Sequence, residues 1–349
     1  MTKQIANLQS LRGMAAMLVV LFHLATIEGN YGHGYRLLSD IWTIGMSGVD
    51  LFFVISGFVM VTVTRGRFQS AGAGRRFLAH RITRIYPLYW FFSLLVLVVF
   101  LARPGMVKRS LQGGEVDLIG SFLLLPQDGL PLLMVGWTLI HEMYFYLVFA
   151  LLLLFPERRL ARLLGLWAGA VVCAGLLLPA SAGATLRLVT HPLTLEFIAG
   201  CLAALLIHRG ITRFGWPCLG TGVMAWLAGY ALHVHLGLGH EPSHWMRVLL
   251  FGLPAALVVY GLVALETARK TILPVWAARL GDASYSLYLS HVLVMGALAR
   301  IGAGFASAGD PMLRPALLLL LVAAAVAFAL ACHRFIEMPL IRAARSVLR

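Results

Sequence analysis

Arg12 and His23 stand eleven positions apart in one apolar stretch, LQSLRGMAAMLVVLFHL. On a helix, eleven steps of about 100° close three turns with roughly 20° to spare, so both side chains share a face. At about 1.5 Å per residue they lie roughly 16 Å apart along the axis, about half the hydrocarbon thickness of a bilayer. A cation near one membrane surface and a titratable imidazole near mid-depth are expensive to hold in lipid, which makes the pair a functional candidate. The plainer alternative is an Arg12 that snorkels to the helix end and a His23 satisfied locally.

Other ionisable groups recur in apolar surroundings. GMSGVDLFFVISGF carries Asp50 and Ser56, and GWTLIHEMYFYLVF carries Trp137 and, side by side, His141 and Glu142. Neighbouring helical residues point about 100° apart, so only one of His141 and Glu142 can look squarely into a helix bundle. GDASYSLYLSHVLV holds Ser286, Tyr288 and His291, preceded by Asp282 as a helix N-cap candidate, and Glu196 lies near the start of a further apolar stretch. Each alone reads as a structural polar residue paired across the bundle. His23, Glu142 and His291 together, on three stretches, read as one interior catalytic site. A neutral imidazole there acts as general base, a carboxylate fixes its tautomer, and the dry setting strengthens hydrogen bonds to a developing oxyanion. Asp50, Ser56, Trp137 and Tyr288 are the candidate substrate-binding side chains.

The segment RGRFQSAGAGRRFLAHRITRIYPLYW carries Arg65, Arg67, Arg75, Arg76, Arg81 and Arg84, with no acidic residue and no lysine. Ordinary positive-inside bias explains basic residues, but arginine is the residue suited to bidentate phosphate contacts. Arg81 and Arg84, three apart, adjoin on a helical face. Tyr86-Pro87 is expected to open the next membrane helix, leaving the cluster at the surface. Arg12, Arg75, Arg76, Arg81 and Arg84 are therefore the candidate binders of a polyphosphorylated, nucleotide-bearing co-substrate.

Elements that position these groups follow from composition. The 349 residues are 60% hydrophobic and 12% charged, with a mean hydropathy of +0.87. Such a chain is an all-α, polytopic membrane protein. Ten spans are expected near 10–28, 44–64, 86–103, 136–155, 161–179, 192–208, 215–236, 246–266, 283–303 and 314–336, in a single domain over 1–349. The apolar piece at 118–125 is too short to cross and reads as interfacial or re-entrant. The first span, with Arg12 inside it and no small-residue cleavage site after it, is expected to stay. Most of the 28 basic residues fall on one side when both termini are cytoplasmic, so that orientation is expected. The net charge of +14 is mostly this bias and attraction to anionic lipid, and no basic stretch interleaved with aromatics points to nucleic acid. Cys173, Cys201, Cys218 and Cys332 are scattered packing residues. His233, His235, His240 and His244 match no compact metal-ligand spacing and read as a polar outer loop, so no metal is expected. Gly165 and Gly169 suit helix packing.

These motifs, in order, resemble the acyltransferase-3 family of integral membrane O-acyltransferases over essentially the whole chain. The matching stretches are LRGMAAMLVVLFH, SGVDLFFVISGFVM, RRFLAHRITRIYPLYW, WTLIHEMYFY, GDASYSLYLSH and FIEMPL. The LQSLRG opening is similar to the exopolysaccharide O-acetyltransferase branch. The resemblance implies ten transmembrane helices in a bacterial inner membrane, acyl-CoA (acetyl-CoA in that branch) as cytoplasmic donor and a carbohydrate hydroxyl as acceptor. It implies that His23 is the essential histidine with Arg12 as its partner, that Arg81 and Arg84 form the family's Arg-x-x-Arg pair, and that Glu142 and His291 are its intramembrane acid and late histidine. Some relatives carry a fused extracytoplasmic esterase-like domain; without one, transfer to the glycan or its lipid-linked precursor falls to the membrane unit itself or to separate polysaccharide-biosynthesis partners. A proton-coupled transporter or flippase of glycolipids is the rival reading of the buried acids and histidines. The arginine-rich segment and the ordered motifs favour the enzyme.

Overall fold

In lipid every backbone polar group must be satisfied within its own segment, and this chain meets that demand with helices. The structure, a computed structural model, describes residues 5–31, 37–38, 40–110, 115–177, 183–237, 243–306 and 313–346. No strand occurs among them. Lys3, His240 and Arg349 lie outside the described residues. In order the helices are α1 (Ala6–Tyr31), α2 (Gly48–Thr64), α3 (Ala73–Ala102), α4 (Pro104–Ser110), α5 (Leu118–Leu123) and α6 (Trp137–Leu152). Then come α7 (Leu160–Leu177), α8 (Ala184–Val189), α9 (Thr194–His208), α10 (Gly215–His235) and α11 (His244–Arg247). The chain closes with α12 (Leu253–Thr267), α13 (Val275–Asp282), α14 (Ser284–Ala306), α15 (Leu313–Cys332) and α16 (Met338–Ser346). π-turns at Val248–Gly252 and His333–Glu337 fuse α11 to α12 and α15 to α16.

Eight helical stretches among the described residues are long and apolar enough to cross a membrane: Ala6–Tyr31, Ile41–Thr64, Ala73–Ala102, Met134–Leu152, Glu157–Leu177, Ala184–His208, His244–Thr267 and Pro315–Ser346. The chain is an all-α polytopic membrane protein. Ten spans are expected; α10 and α14 form where the other two were placed. Leu94, Val98 and Leu101 of α3 are more than half exposed, as lipid-facing side chains are.

The third span starts earlier than expected. Helix α3 runs unbroken from Ala73 through Pro87, so Arg75, Arg76, Arg81 and Arg84 sit on a helix and not in a loop. Proline removes one backbone donor, yet this helix continues, with the Tyr285 hydroxyl donating to Ile85 O at 2.7 Å beside the interruption. Helix α5 is the short apolar piece, and its six residues leave most of its carbonyls without intrahelical donors. Three aromatic side chains of α3 supply them: Tyr86 donates to Leu123 O at 2.8 Å, Tyr89 to Ser121 O at 2.6 Å and Trp90 to Phe122 O at 2.9 Å. Asp117 caps the other end by accepting from Gly120 N at 2.8 Å.

Packing in a membrane relies on close backbone approach and not on expulsion of water. Helices α2 and α9 cross at two facing glycines. A Cβ at Gly57 would lie 1.9 Å from Phe197 O, and one at Gly200 would lie 1.9 Å from Val54 O. One end of the bundle is defined by three contacts. Gln69 N donates to Leu153 O at 2.8 Å, Gly66 N to the Glu157 carboxylate at 2.9 Å, and Ala6 N and Asn7 N each to the Glu266 carboxylate at 2.7 Å. The last places a negative charge on the α1 N-terminus, where the helix dipole favours it. This end carries the arginine-rich start of α3; the N-termini of α2, α6, α9 and α11 lie at the other.

Candidate active site

Five helices converge on a cavity whose water-accessible volume is about 100 Å³, room for several waters or a slender acyl chain. Helix α1 contributes Arg12, α2 contributes Phe52, Phe53 and Ser56, and α3 contributes Arg81 and Arg84. Helix α6 adds Thr138, Glu142 and Tyr146, spaced four apart on one face, and α14 adds Ser284, Tyr285 and Tyr288. Glu142 Oε1 accepts from Ser56 Oγ at 2.9 Å and from the Tyr146 hydroxyl. The cavity therefore holds one carboxylate, pinned by two hydroxyls, beside three guanidinium groups.

Arg81 is wedged between the Phe77 and Tyr146 rings, 5.6 and 5.8 Å from their centroids, and its buried Nε has no hydrogen-bond partner. An unmet buried donor costs about 1–3 kcal/mol, which an anionic or carbonyl oxygen would offset. Arg12 Nη1 donates to Gln9 Oε1 at 3.4 Å, and Gln9 in turn donates to Asp282 Oδ1 at 2.7 Å. Asp282 thus closes α13 and braces the Arg12 turn. Three guanidinium groups and an unmet donor suit an anionic or carbonyl-bearing ligand. Arg75 and Arg76 are exposed at the start of α3 and do not line the cavity; at five to six residues from Arg81 they sit roughly 8 Å nearer the bundle end.

His23 and His291 lie next to the cavity and pair directly. His291 Nδ1 is 2.9 Å from Leu287 O, His23 Nδ1 is 3.0 Å from Val19 O, and His291 Nε2 is 3.1 Å from His23 Nδ1. Carbonyls only accept, so in the neutral rings both Nδ1 atoms carry hydrogen. His291 Nε2 is then an acceptor, shared with Val19 O by the His23 Nδ1–H. His23 Nε2 is left with its lone pair, the tautomer of a base. His291 is fully buried and His23 is half-buried. Tyr288 joins the two regions: it lines the cavity, and its ring is 6.0 Å from both His291 and Phe52. Its hydroxyl donates to Val135 O at 3.0 Å and meets Thr138 Oγ1 at 2.8 Å, which holds the ring in place.

Two residues expected to bind substrate lie elsewhere. Asp50, six residues before Ser56 and so on another face of α2, is fully buried against Arg247. Arg247 Nε is 2.9 Å from Oδ1, and Nη2 is 3.0 Å from Oδ2 and 3.0 Å from Met46 O. Trp137 packs against Phe53 and His141 with the Arg247 guanidinium 5.9 Å from its centroid. Sequence reasoning missed Arg247, although a lone arginine at the head of an apolar stretch signals a buried partner. It also missed Tyr146, one helical turn beyond Glu142. Another buried carboxylate, Glu337 of the FIEMPL motif, accepts from Ser286 Oγ at 2.6 Å and from His333 Nδ1 at 2.9 Å, tying α14 to the second π-turn. Among the described residues no group of three His, Cys, Asp or Glu side chains is arranged to hold a metal.

A family model described as an acyltransferase domain matches residues 5–334. The chain is 33% identical to the exopolysaccharide production protein ExoZ of Rhizobium meliloti, over 94% of this chain and 96% of that protein. It is 28% identical to the acyltransferase MdmB of Streptomyces mycarofaciens, over 97% and 92% respectively. No solved structure matches it.

Proposed function

The chain belongs to the acyltransferase-3 family, and from that premise we propose that it moves an acetyl group from cytoplasmic acetyl-CoA to a hydroxyl of an exopolysaccharide or its lipid-linked precursor, as a single catalytic domain in the bacterial inner membrane. The ExoZ relative, named for exopolysaccharide production, supports the glycan acceptor. Abundant arginine at one end of the bundle supports a cytoplasmic placement of that end, and with it of both termini.

Arg12, Arg81 and Arg84 hold the donor's phosphates and carbonyls, with Arg75 and Arg76 drawing the anion in. The thioester then lies along the α1 stripe toward His23. His23 Nε2 takes the proton from the acceptor hydroxyl as its oxygen attacks the thioester carbonyl. The C–S bond breaks and the departing thiolate recovers the proton from the imidazolium, so the ring ends neutral. His291 Nε2 accepts from His23 Nδ1 throughout and stabilises the transient cation. Glu142 orients Ser56 and Tyr146 around the donor.

One observation carries this reading: the His23–His291 pairing, which leaves His23 Nε2 free to act as base. Replacing His23 with Ala in the purified full chain should lower acetyl transfer by about 10²–10⁴-fold while CoA binding by calorimetry persists. Transfer at the wild-type rate would remove His23 from the reaction. Withholding acceptor and finding acetyl-enzyme by intact-protein mass spectrometry would replace direct attack with a covalent acetyl-histidine route.

A further inference from the structure

Opposite the arginine end, three imidazoles form a row. The His141 and His191 ring centroids are 4.4 Å apart, and those of His191 and His244 are 4.3 Å apart. His244 at the α11 start is exposed, His191 just before α9 is half-buried, and His141 is one turn inside α6, with a buried Nδ1 that has no hydrogen-bond partner. The row therefore runs from the bundle surface to the depth of Glu142, the next residue along α6. On α9, Glu196 is 1% exposed and faces the buried Asp50–Arg247 pair. A Cβ at Gly252 would come within 2.7 Å of Glu196, so the π-turn and its glycine make room for that side chain. Phe53 separates this row from the donor cavity: it lines the cavity, stacks on Phe197 at 4.5 Å and stands 6.2 Å from His141.

We propose that the His141–His191–His244 row is the subsite that receives the acceptor sugar from the side of the membrane opposite the donor. This rests on the acyltransfer reading above. The unmet, buried His141 Nδ1 is a group that a polyhydroxylated ligand satisfies, and planar imidazoles offer both polar edges and apolar faces to a sugar ring. A proton wire is the other use of such a row. Acyl transfer from thioester to alcohol needs none, because the proton leaving the hydroxyl ends on the thiol. Phe53 stands between the row and the cavity, which limits loss of the acyl group to water.

The test uses the purified full chain with acetyl-CoA and, as acceptor, the host's own exopolysaccharide cut to repeat units and de-O-acetylated with alkali. His244→Ala, at an exposed position where misfolding is not a concern, and His191→Gln should each raise the acceptor KM about tenfold, the worth of one lost hydrogen bond, with donor Kd within twofold. An unchanged acceptor KM in both variants overturns the subsite. A fall in kcat at unchanged acceptor KM assigns the row to proton movement and also overturns it. If the wild-type chain acetylates none of these fragments, the acyltransfer reading fails first.

Discussion

His23 and His291 are 268 positions apart in the chain and meet at 3.1 Å. The Val19 and Leu287 carbonyls fix which nitrogen of each ring carries hydrogen, and the contact leaves His23 Nε2 as the one of the four whose lone pair it does not occupy. His291→Phe keeps the bulk and removes the acceptor. It should lower kcat about 10²-fold, the lower range for a positioned acid–base group, with both substrates' affinities nearly unchanged. Steady-state kinetics in detergent checks this; equal kcat would make the pair a packing contact.

Arg81 and Arg84 should act on the donor alone. Each charge-assisted hydrogen bond is worth about 1.5–3 kcal/mol, so Arg81→Ala and Arg84→Ala should each raise the CoA Kd roughly ten- to hundredfold. Arg75→Ala, at an exposed position, should have a smaller effect that vanishes in high salt. Calorimetry with CoA at two ionic strengths separates the two; a donor Kd untouched by Arg84→Ala would return that residue to charge bias.

The Asp50–Arg247 pair should matter for folding. Removing one partner of a buried ion pair costs about 3–5 kcal/mol, whereas replacing both with apolar residues of similar volume is often neutral. Arg247→Met should therefore depress the thermal midpoint in detergent far more than Arg247→Met combined with Asp50→Leu. Equal depression by both would show that the pair's worth lies in its geometry and not in charge balance.

Gly200→Ala pushes a Cβ to 1.9 Å from Val54 O. Overpacking typically costs about 1–3 kcal/mol, sometimes more, and here the obstacle is backbone. The variant should show a lower midpoint and weaker activity together, because α2 carries Ser56. Full activity with an unchanged midpoint would mean that the crossing has slack.

Although His23 and His291 do not line the cavity that holds Glu142, helical class and most spans were legible because apolar length is a local signal. The start of α3 was not. Pro87 and the charged run before it read as a boundary, but a proline whose neighbours supply alternative hydrogen bonds need not end a helix in a bundle. Asp50 was legible as an ionisable residue at depth but its partner was not, since Arg247 lies almost 200 residues later in the chain. Arg12, Ser56 and Glu142 share a cavity because α2 runs antiparallel to α1, a long-range fact that periodicity does not carry. The histidine row was least visible: His191 and His244 sit at helix ends, where polar residues are ordinary.

At the α2–α9 crossing, the chain has a fulcrum. Phe53 and Ser56 both lie within about one turn before Gly57 on the same short rod, so the ring facing His141 and the hydroxyl bonded to Glu142 share one height adjustment. Side chains of α9 and α11 away from that fulcrum are thereby free to vary, but any drift at it would disturb both walls of the cavity region at once.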